Sequence, residues 1–148
     1  MQCNDNKKSQ CWRQSGIIFL LQVMHEETVV DIPKINTGKL VHKINELLHT
    51  GIILVAVDGE KVIGSISGQK NKDWWSDEDY IGDLWYYVMK DYRKSDVAKK
   101  LLNHFVKIVK EVKLQLRLGH VFSGDVVRKD KFYERQGFSR VGSIYIEG

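Results

Sequence analysis

The sequence predicts an α/β (α+β) fold: a mixed, mostly antiparallel central sheet with helices on both faces. Three observations carry this. Two β-rich runs flank Asp58-Gly59 in IILVAVDGEKVIGSISGQ, the pattern of a tight hairpin. A strand-like run at 80–89, a strongly amphipathic stretch at 97–112 and an alternating run at 113–122 form a strand–helix–strand crossover, which makes its two strands parallel. Two further stripes of helical spacing precede the hairpin, so helices are available for both faces.

In chain order, residues 1–14 are polar and aperiodic and read as a weak strand or a tail. Residues 17–30 carry Ile17, Leu20, Leu21, Met24 and Thr28 at helical spacing, closed by Pro33. Residues 37–50 form a second helix with the stripe Leu40, Val41, Ile44, Leu47 and Leu48, capped by Asn36 or Thr37 and stopped by Gly51. The hairpin follows, then a polar loop at 71–79 holding Trp74 and Trp75, which either cap a core or line an acceptor pocket. YIGDLWYYVM is a central strand with Trp85 in the core. On the 97–112 helix, Val97, Ala98, Leu101, Leu102, Phe105, Ile108, Val109 and Val112 oppose Lys99, Lys100, Lys107 and Lys110. In the next strand Leu114, Leu116 and Leu118 face one way, Gln115 and Arg117 the other. Residues 125–138 are a short helix ended by Gly137, with Phe138 folding back, and SRVGSIYIEG is expected to be a last strand.

With 148 residues and no linker or repeat, one domain spanning 1–148 is expected, long enough for a core without metal or disulfide staples. Cys3 and Cys11 lie outside any zinc-ligand spacing and read as free thiols in a reducing compartment, a local disulfide being the alternative; no metal is implied. The apolar run GIIFLLQVM is broken by Gln22, followed by His25, Glu26 and Glu27, and too short to span a bilayer, so a cytoplasmic protein with no membrane partner is expected. Net charge of +4 and a pI near 9.0 mildly favour an anionic ligand but do not single out nucleic acid.

The chemistry concentrates where the strand at 80–89 turns into the helix at 97. A helix N-terminus offers unpaired N–H groups and a positive dipole end, and Arg93, Lys94, Lys99 and Lys100 stand around it against Asp96 alone. On physical grounds this is an anion cradle or a solvated helix start.

YVMKDYRKSDVAKKLL (87–102) resembles the cofactor motif of the GNAT family of N-acetyltransferases, whose cradle reads Arg/Gln-x-x-Gly-x-Gly/Ala. Arg93 and Ala98 match its ends, while Asp96 stands where the middle glycine is usual. FYERQGF (132–138) resembles the family's C-terminal signature, an aromatic-Tyr pair followed by Gly-Phe. The resemblance covers about residues 17–148; the family's first strand would have to come from 1–16.

The resemblance implies acetyl-CoA as co-substrate. Backbone groups of Tyr87, Val88 and Met89 would hold its pantetheine arm, and amides from Arg93, Lys94, Ser95, Asp96, Val97 and Ala98 its pyrophosphate, with Phe132 beside the site. Tyr133 would be the general acid for the leaving thiolate; a phenol near 10 and a thiol near about 8.5 are close enough for transfer. From the residues alone Tyr133 also reads as core packing beside Phe132. Asp83, a carboxylate in an apolar strand, is the first candidate for general base, placed by alternation with Trp85 and Tyr87; Glu78, Asp79 and His120 follow.

The expected function is acetyl transfer to a primary amine by direct attack in a ternary complex. The alternative is a GNAT-fold binding module with weak or lost catalysis, motivated by Asp96. The acceptor would be a small molecule or peptide; nucleic acid is disfavoured, charged tRNA being the one such acceptor weighed, and a homodimer is left open. Asp96 is expected to keep the cradle's backbone shape, with its side chain outward and its charge offset by Arg93 and Lys94.

Overall fold

The computed structural model describes residues 2–120 and 124–147. Eight elements follow in order: helices α1 (Gln2–Glu26) and α2 (Thr37–Thr50), strands β1 (Ile52–Asp58), β2 (Lys61–Lys72) and β3 (Asp79–Val88), helix α3 (Val97–Val112), strand β4 (Gln115–Arg117) and helix α4 (Val126–Arg135). The sheet order is β1-β2-β3-β4; the first two pairings are antiparallel and β3 pairs β4 in parallel. This is the mixed, mostly antiparallel sheet expected.

Helices occupy both faces. On one, Leu101, Leu102, Phe105 and Val109 of α3 pack with Ile66, Ile81 and Val88 of the sheet. On the other, Ile17 and Leu21 of α1 and Ile44 and Leu47 of α2 enclose Trp85, while Leu20 packs with Val62, Tyr87 and Met89. The Trp85 indole N–H donates to the Ser65 hydroxyl at 2.9 Å, which donates to the Leu54 carbonyl at 2.8 Å, so the buried indole is satisfied. Gly68 lets Phe105 lie against the strand: a Cβ there would meet Phe105 Cζ at 2.6 Å.

Helices α2 and α3 match their expected bounds. Asn36 is the cap of α2, its Oδ1 accepting the Lys39 N–H at 3.0 Å. Four expectations change. Residues 2–16 are part of α1, not a strand; the side chains of Cys3 and Cys11 lie outside the described residues. Helix α1 ends at Glu26, well before Pro33, and Thr28 lies beyond it, donating its hydroxyl to the His25 carbonyl at 2.9 Å. Residues 139–147 form no strand: Val141 is 98% and Tyr145 90% exposed, so their β-branched and aromatic side chains find no sheet to lie on. Strand β4 is limited to three residues, with Leu114, Leu116 and Leu118 half-buried as the alternation required, and Val121 and Phe122 outside the described residues.

Candidate active site

β3 and β4 share only the stretch from Tyr80–Gly82 to Gln115–Arg117. Past Gly82, β3 runs on to Val88 with no strand on that side among the described residues. Backbone groups of an antiparallel strand alternate between its two edges. The Met89 N–H donates to the Ile63 carbonyl at 2.8 Å, so Met89 faces β2 and Val88 faces the open edge. The Val88 carbonyl duly accepts from Arg93 Nε at 3.0 Å. By the same alternation Tyr86 turns outward and Tyr87 toward β2, which singles out Val88 among the three residues expected at this edge.

A bulge decides where Asp83 points. Ser67 pairs with Trp85 and Gly68 with Asp83, leaving Leu84 as an extra residue on β3. The bulge resets the alternation, so Asp83 does not share a face with Trp85 and Tyr87 as simple period-2 counting expects. It lies on the α3 and α4 side, where the Gly119 N–H donates to its Oδ1 at 3.0 Å. Burial pushes the Asp83 carboxyl up to about 6, against the opposing pull of the Gly119 bond and the His120 charge.

Tyr133 meets it from α4. Its ring contacts Phe132 at 5.7 Å, Phe138 at 6.1 Å and Tyr86 at 6.3 Å, all edge-on, and lies parallel to His120 at 5.7 Å. Gly137, at φ +91°, closes α4: the Phe138 N–H donates to the Tyr133 carbonyl at 3.0 Å and the Gly137 N–H to that of Glu134 at 3.0 Å. That turn folds Phe138 onto Tyr133, which is the structural content of the Tyr-to-Gly-Phe spacing. Burial, and then the charge of Asp83, push the Tyr133 phenol well above its ordinary value. Tyr133 and Asp83 are therefore within electrostatic reach.

A single 3-10 turn, Lys90–Tyr92, carries the chain from β3 toward α3. The backbone at Asp96 has φ −89°, a conformation open to any residue, so no positive φ is demanded there. Its side chain points outward, as expected, but makes no cap, and its partner is Lys100 at 3.1 Å rather than Arg93 or Lys94. Arg93 is engaged elsewhere: besides Val88, it pairs with Glu27 just past α1 and lies over the Tyr87 ring at 5.2 Å. The Tyr87 hydroxyl donates to the other Glu27 oxygen at 2.7 Å. Ser95 turns back to donate to the Tyr92 carbonyl, and Lys94 is exposed. Val97 and Ala98 form the first turn of α3, and the Ala98 carbonyl accepts the Tyr86 hydroxyl.

Asp83, Tyr133, Phe132 and His120 thus converge, with Val88 and the start of α3 along the same strand edge. Glu78 and Asp79 do not join them: they sit at the far end of β3, where Asp79 pairs with Lys72 at 3.4 Å. Trp74 and Trp75, 94% and 67% exposed, do not cap a core. Sequence reasoning passed over Tyr86, Glu27, Gly119 and Asp130. A bulge in β3 would have pointed to Tyr86; the other three carry no local signal, since each matters through a partner distant in the chain.

The match to known proteins follows this geometry. Residues 49–140 match the family model described as an acetyltransferase (GNAT) domain, and the chain belongs to that family. No curated protein matches it at a significant level. Among solved structures it resembles glucosamine-6-phosphate N-acetyltransferase from Arabidopsis thaliana, with a TM-score of 0.68 and 16% identity over 93% of this chain and 91% of the other. It resembles ribosomal-protein-alanine N-acetyltransferase from Brucella melitensis biovar Abortus 2308, with a TM-score of 0.65 and 16% identity over 91% and 92% of the two chains. The aminoglycoside antibiotic 6′-N-acetyltransferase of Acinetobacter haemolyticus superposes with a TM-score of 0.62 and 14% identity over 88% and 89%. Among the described residues no helix is long and apolar enough to cross a membrane, and no group of three or more His, Cys, Asp or Glu side chains is placed to hold a metal.

Proposed function

We propose that the chain is a single-domain N-acetyltransferase of the cytoplasm that moves an acetyl group from acetyl-CoA to a primary amine, with Asp83 as general base and Tyr133 as general acid. What supports this is a buried carboxylate and a buried phenol on the same side of the sheet, linked through the Gly119–His120 segment, beside the open edge of β3. The site suits the co-substrate. Outward backbone groups at Tyr86 and Val88 match the amides of a pantetheine arm, and the first N–H groups of α3, with Lys94 and Lys99 nearby, match a pyrophosphate. Arg93 must release the Val88 carbonyl for an amide to take its place.

A carboxyl raised to about 6 can take a proton from an ammonium at neutral pH and return it to water. The freed nitrogen attacks the acyl carbon; a C–N bond forms and the C–S bond breaks. Tyr133 gives its phenolic proton to the departing sulfur and recovers one from the new amide nitrogen. The two groups act in sequence. While Asp83 is ionised its charge holds the phenol proton tightly. Once Asp83 is protonated the smaller part of that restraint is gone, burial being the larger, and Tyr133 is a better acid than before at the moment the thiolate leaves.

The fold neighbours acetylate, by their names, an amino sugar phosphate, a protein alanine and an aminoglycoside. The experiment is calorimetric titration with acetyl-CoA, followed by thiol release with glucosamine 6-phosphate, an aminoglycoside and a peptide bearing a free N-terminal alanine. Binding with turnover of one amine is expected. Binding without turnover of any amine favours the module that has lost catalysis, and absence of binding sinks the reading.

A further inference from the structure

Arg93 is held in a place that the proposed reaction needs empty. Its Nε donates to the Val88 carbonyl at 3.0 Å, the outward carbonyl on the open edge of β3. A guanidinium N–H there stands in for an amide N–H of a bound pantetheine arm, since both are planar nitrogens donating one hydrogen. A single such bond would not fix a side chain as long and mobile as arginine. Three further contacts do. Arg93 pairs with Glu27, its guanidinium lies over the Tyr87 ring at 5.2 Å, and the Tyr87 hydroxyl donates to the other Glu27 oxygen at 2.7 Å. Each of the three side chains therefore touches both of the others. Glu27 lies just past the end of α1, and two residues on Val29 packs against Gly124, where a Cβ would meet Val29 Cγ1 at 3.1 Å. The segment carrying Glu27 is thus braced and does not hang from the helix end.

We propose that Glu27 and Tyr87 latch Arg93 across the open edge of β3, so that the empty protein fills its own pantetheine position and admits acetyl-CoA only when the latch breaks. This rests on the acetyltransferase reading and adds to it a built-in competitor. The competition is intramolecular, so it scales the apparent affinity by the fraction of molecules whose Val88 carbonyl is open. A ligand can win it. The Arg93 and Glu27 side chains remain 36% and 35% exposed, and water and salt screen such a pair. The partners of Glu27 are 66 and 60 positions away, so no local turn preference places them; the packing of α1 on the sheet does. A simple tie between α1 and the sheet would leave the affinity for acetyl-CoA alone, or raise it by ordering the site. A latch seated on the site lowers it, so the two differ in sign.

The test compares wild type with Glu27→Gln, Tyr87→Phe and Glu26→Gln, each checked by circular dichroism. Glu26→Gln removes the same charge one residue away, from a side chain outside the latch. In nitrogen-15-labelled protein the Arg93 Nε–H is expected to exchange with water slowly in wild type and Glu26→Gln, and faster in Glu27→Gln and Tyr87→Phe. Acetyl-CoA titrated by calorimetry should bind roughly 2- to 5-fold tighter to Glu27→Gln, and differ by less than about twofold for Glu26→Gln. The gap between wild type and Glu27→Gln should narrow as salt rises, because salt opens the wild-type latch. Arg93 exchange unchanged in folded Glu27→Gln overturns the latch. Faster exchange with unchanged or weaker acetyl-CoA binding overturns its seat on the cofactor position. Equal tightening in Glu26→Gln reduces the effect to charge alone and overturns it too. If neither wild type nor Glu27→Gln binds acetyl-CoA, the acetyltransferase reading is at fault, and the exchange measurement alone decides whether Glu27 pins Arg93. If Glu27→Gln does not fold, Tyr87→Phe, which keeps the ring and drops the hydroxyl, carries the same comparisons.

Discussion

Asp83 shows how one backbone irregularity sets a side chain's chemistry. Without Leu84 bulging out, the carboxylate would face α1 and α2 with Trp85 and Tyr87; with it, the carboxylate lies on the opposite side and accepts the Gly119 N–H. Its carboxyl, raised to about 6, binds a proton more tightly in the folded chain than in the unfolded one. That contribution is fully present below about pH 4 and lost as pH rises through 6, so ionised Asp83 costs stability at neutral pH. Asp83→Asn is expected to melt higher than wild type at pH 7, by about 1–3 kcal/mol, with the difference closing near pH 4. The same variant should lose roughly 10²- to 10³-fold in kcat/KM, together with the acid limb near pH 6 expected of wild type. A variant that keeps both the rate and the limb removes Asp83 from the chemistry. For Tyr133→Phe, kcat about 10²-fold lower with the Kd for acetyl-CoA unchanged is expected; unchanged turnover reduces Tyr133 to a packing residue.

At the scale of elements, the turn from β3 to α3 shows an acid sitting without backbone strain where a glycine is usual. Asp96 adopts φ −89°, caps nothing and is drawn out to Lys100. The position does not need glycine's conformational freedom, so the carboxylate's effect on an anion at the helix start is electrostatic alone. Asp96→Gly is expected to tighten acetyl-CoA a few-fold by calorimetry, more at low salt than at high salt. Looser binding would make Asp96 part of the cradle. Helices α2 and α3 could be read to their ends because their stripes are periodic and their flanks carry caps or turns. The start of α1 could not, since residues 2–14 have no apolar period to report the helix. The tail at 139–147 has strand composition without strand structure, because a strand needs a neighbour to pair with and composition says nothing of one.

Across the whole molecule, the two core layers meet through the sheet, and the candidate site lies where that sheet opens between β3 and β4. A ligand seated in that gap would contact β3 and the start of α3 together and would bind only the folded chain. Acetyl-CoA at one hundred times its Kd should therefore stabilise by about 2.7 kcal/mol, read as a rise in Tm that diminishes with salt. A melting temperature indifferent to acetyl-CoA would place the ligand elsewhere or nowhere.

The sequence by itself determined the order of all elements but the last strand, the faces of α2 and α3, the hairpin, and the two motifs that point to the family. These are local matters, settled by periodicity, turn chemistry and caps within a few residues of each other. Only the tertiary structure decided that Asp83 turns to the Gly119 N–H, that Val88 is the outward residue among its neighbours, that Arg93 is held by Glu27, and that the His120 ring runs parallel to that of the proposed acid. Each of those depends on a bulge or on a partner distant in the chain, up to 66 positions away for Arg93 and Glu27. Register and burial are properties of pairs of segments, and no single stretch of chain encodes them.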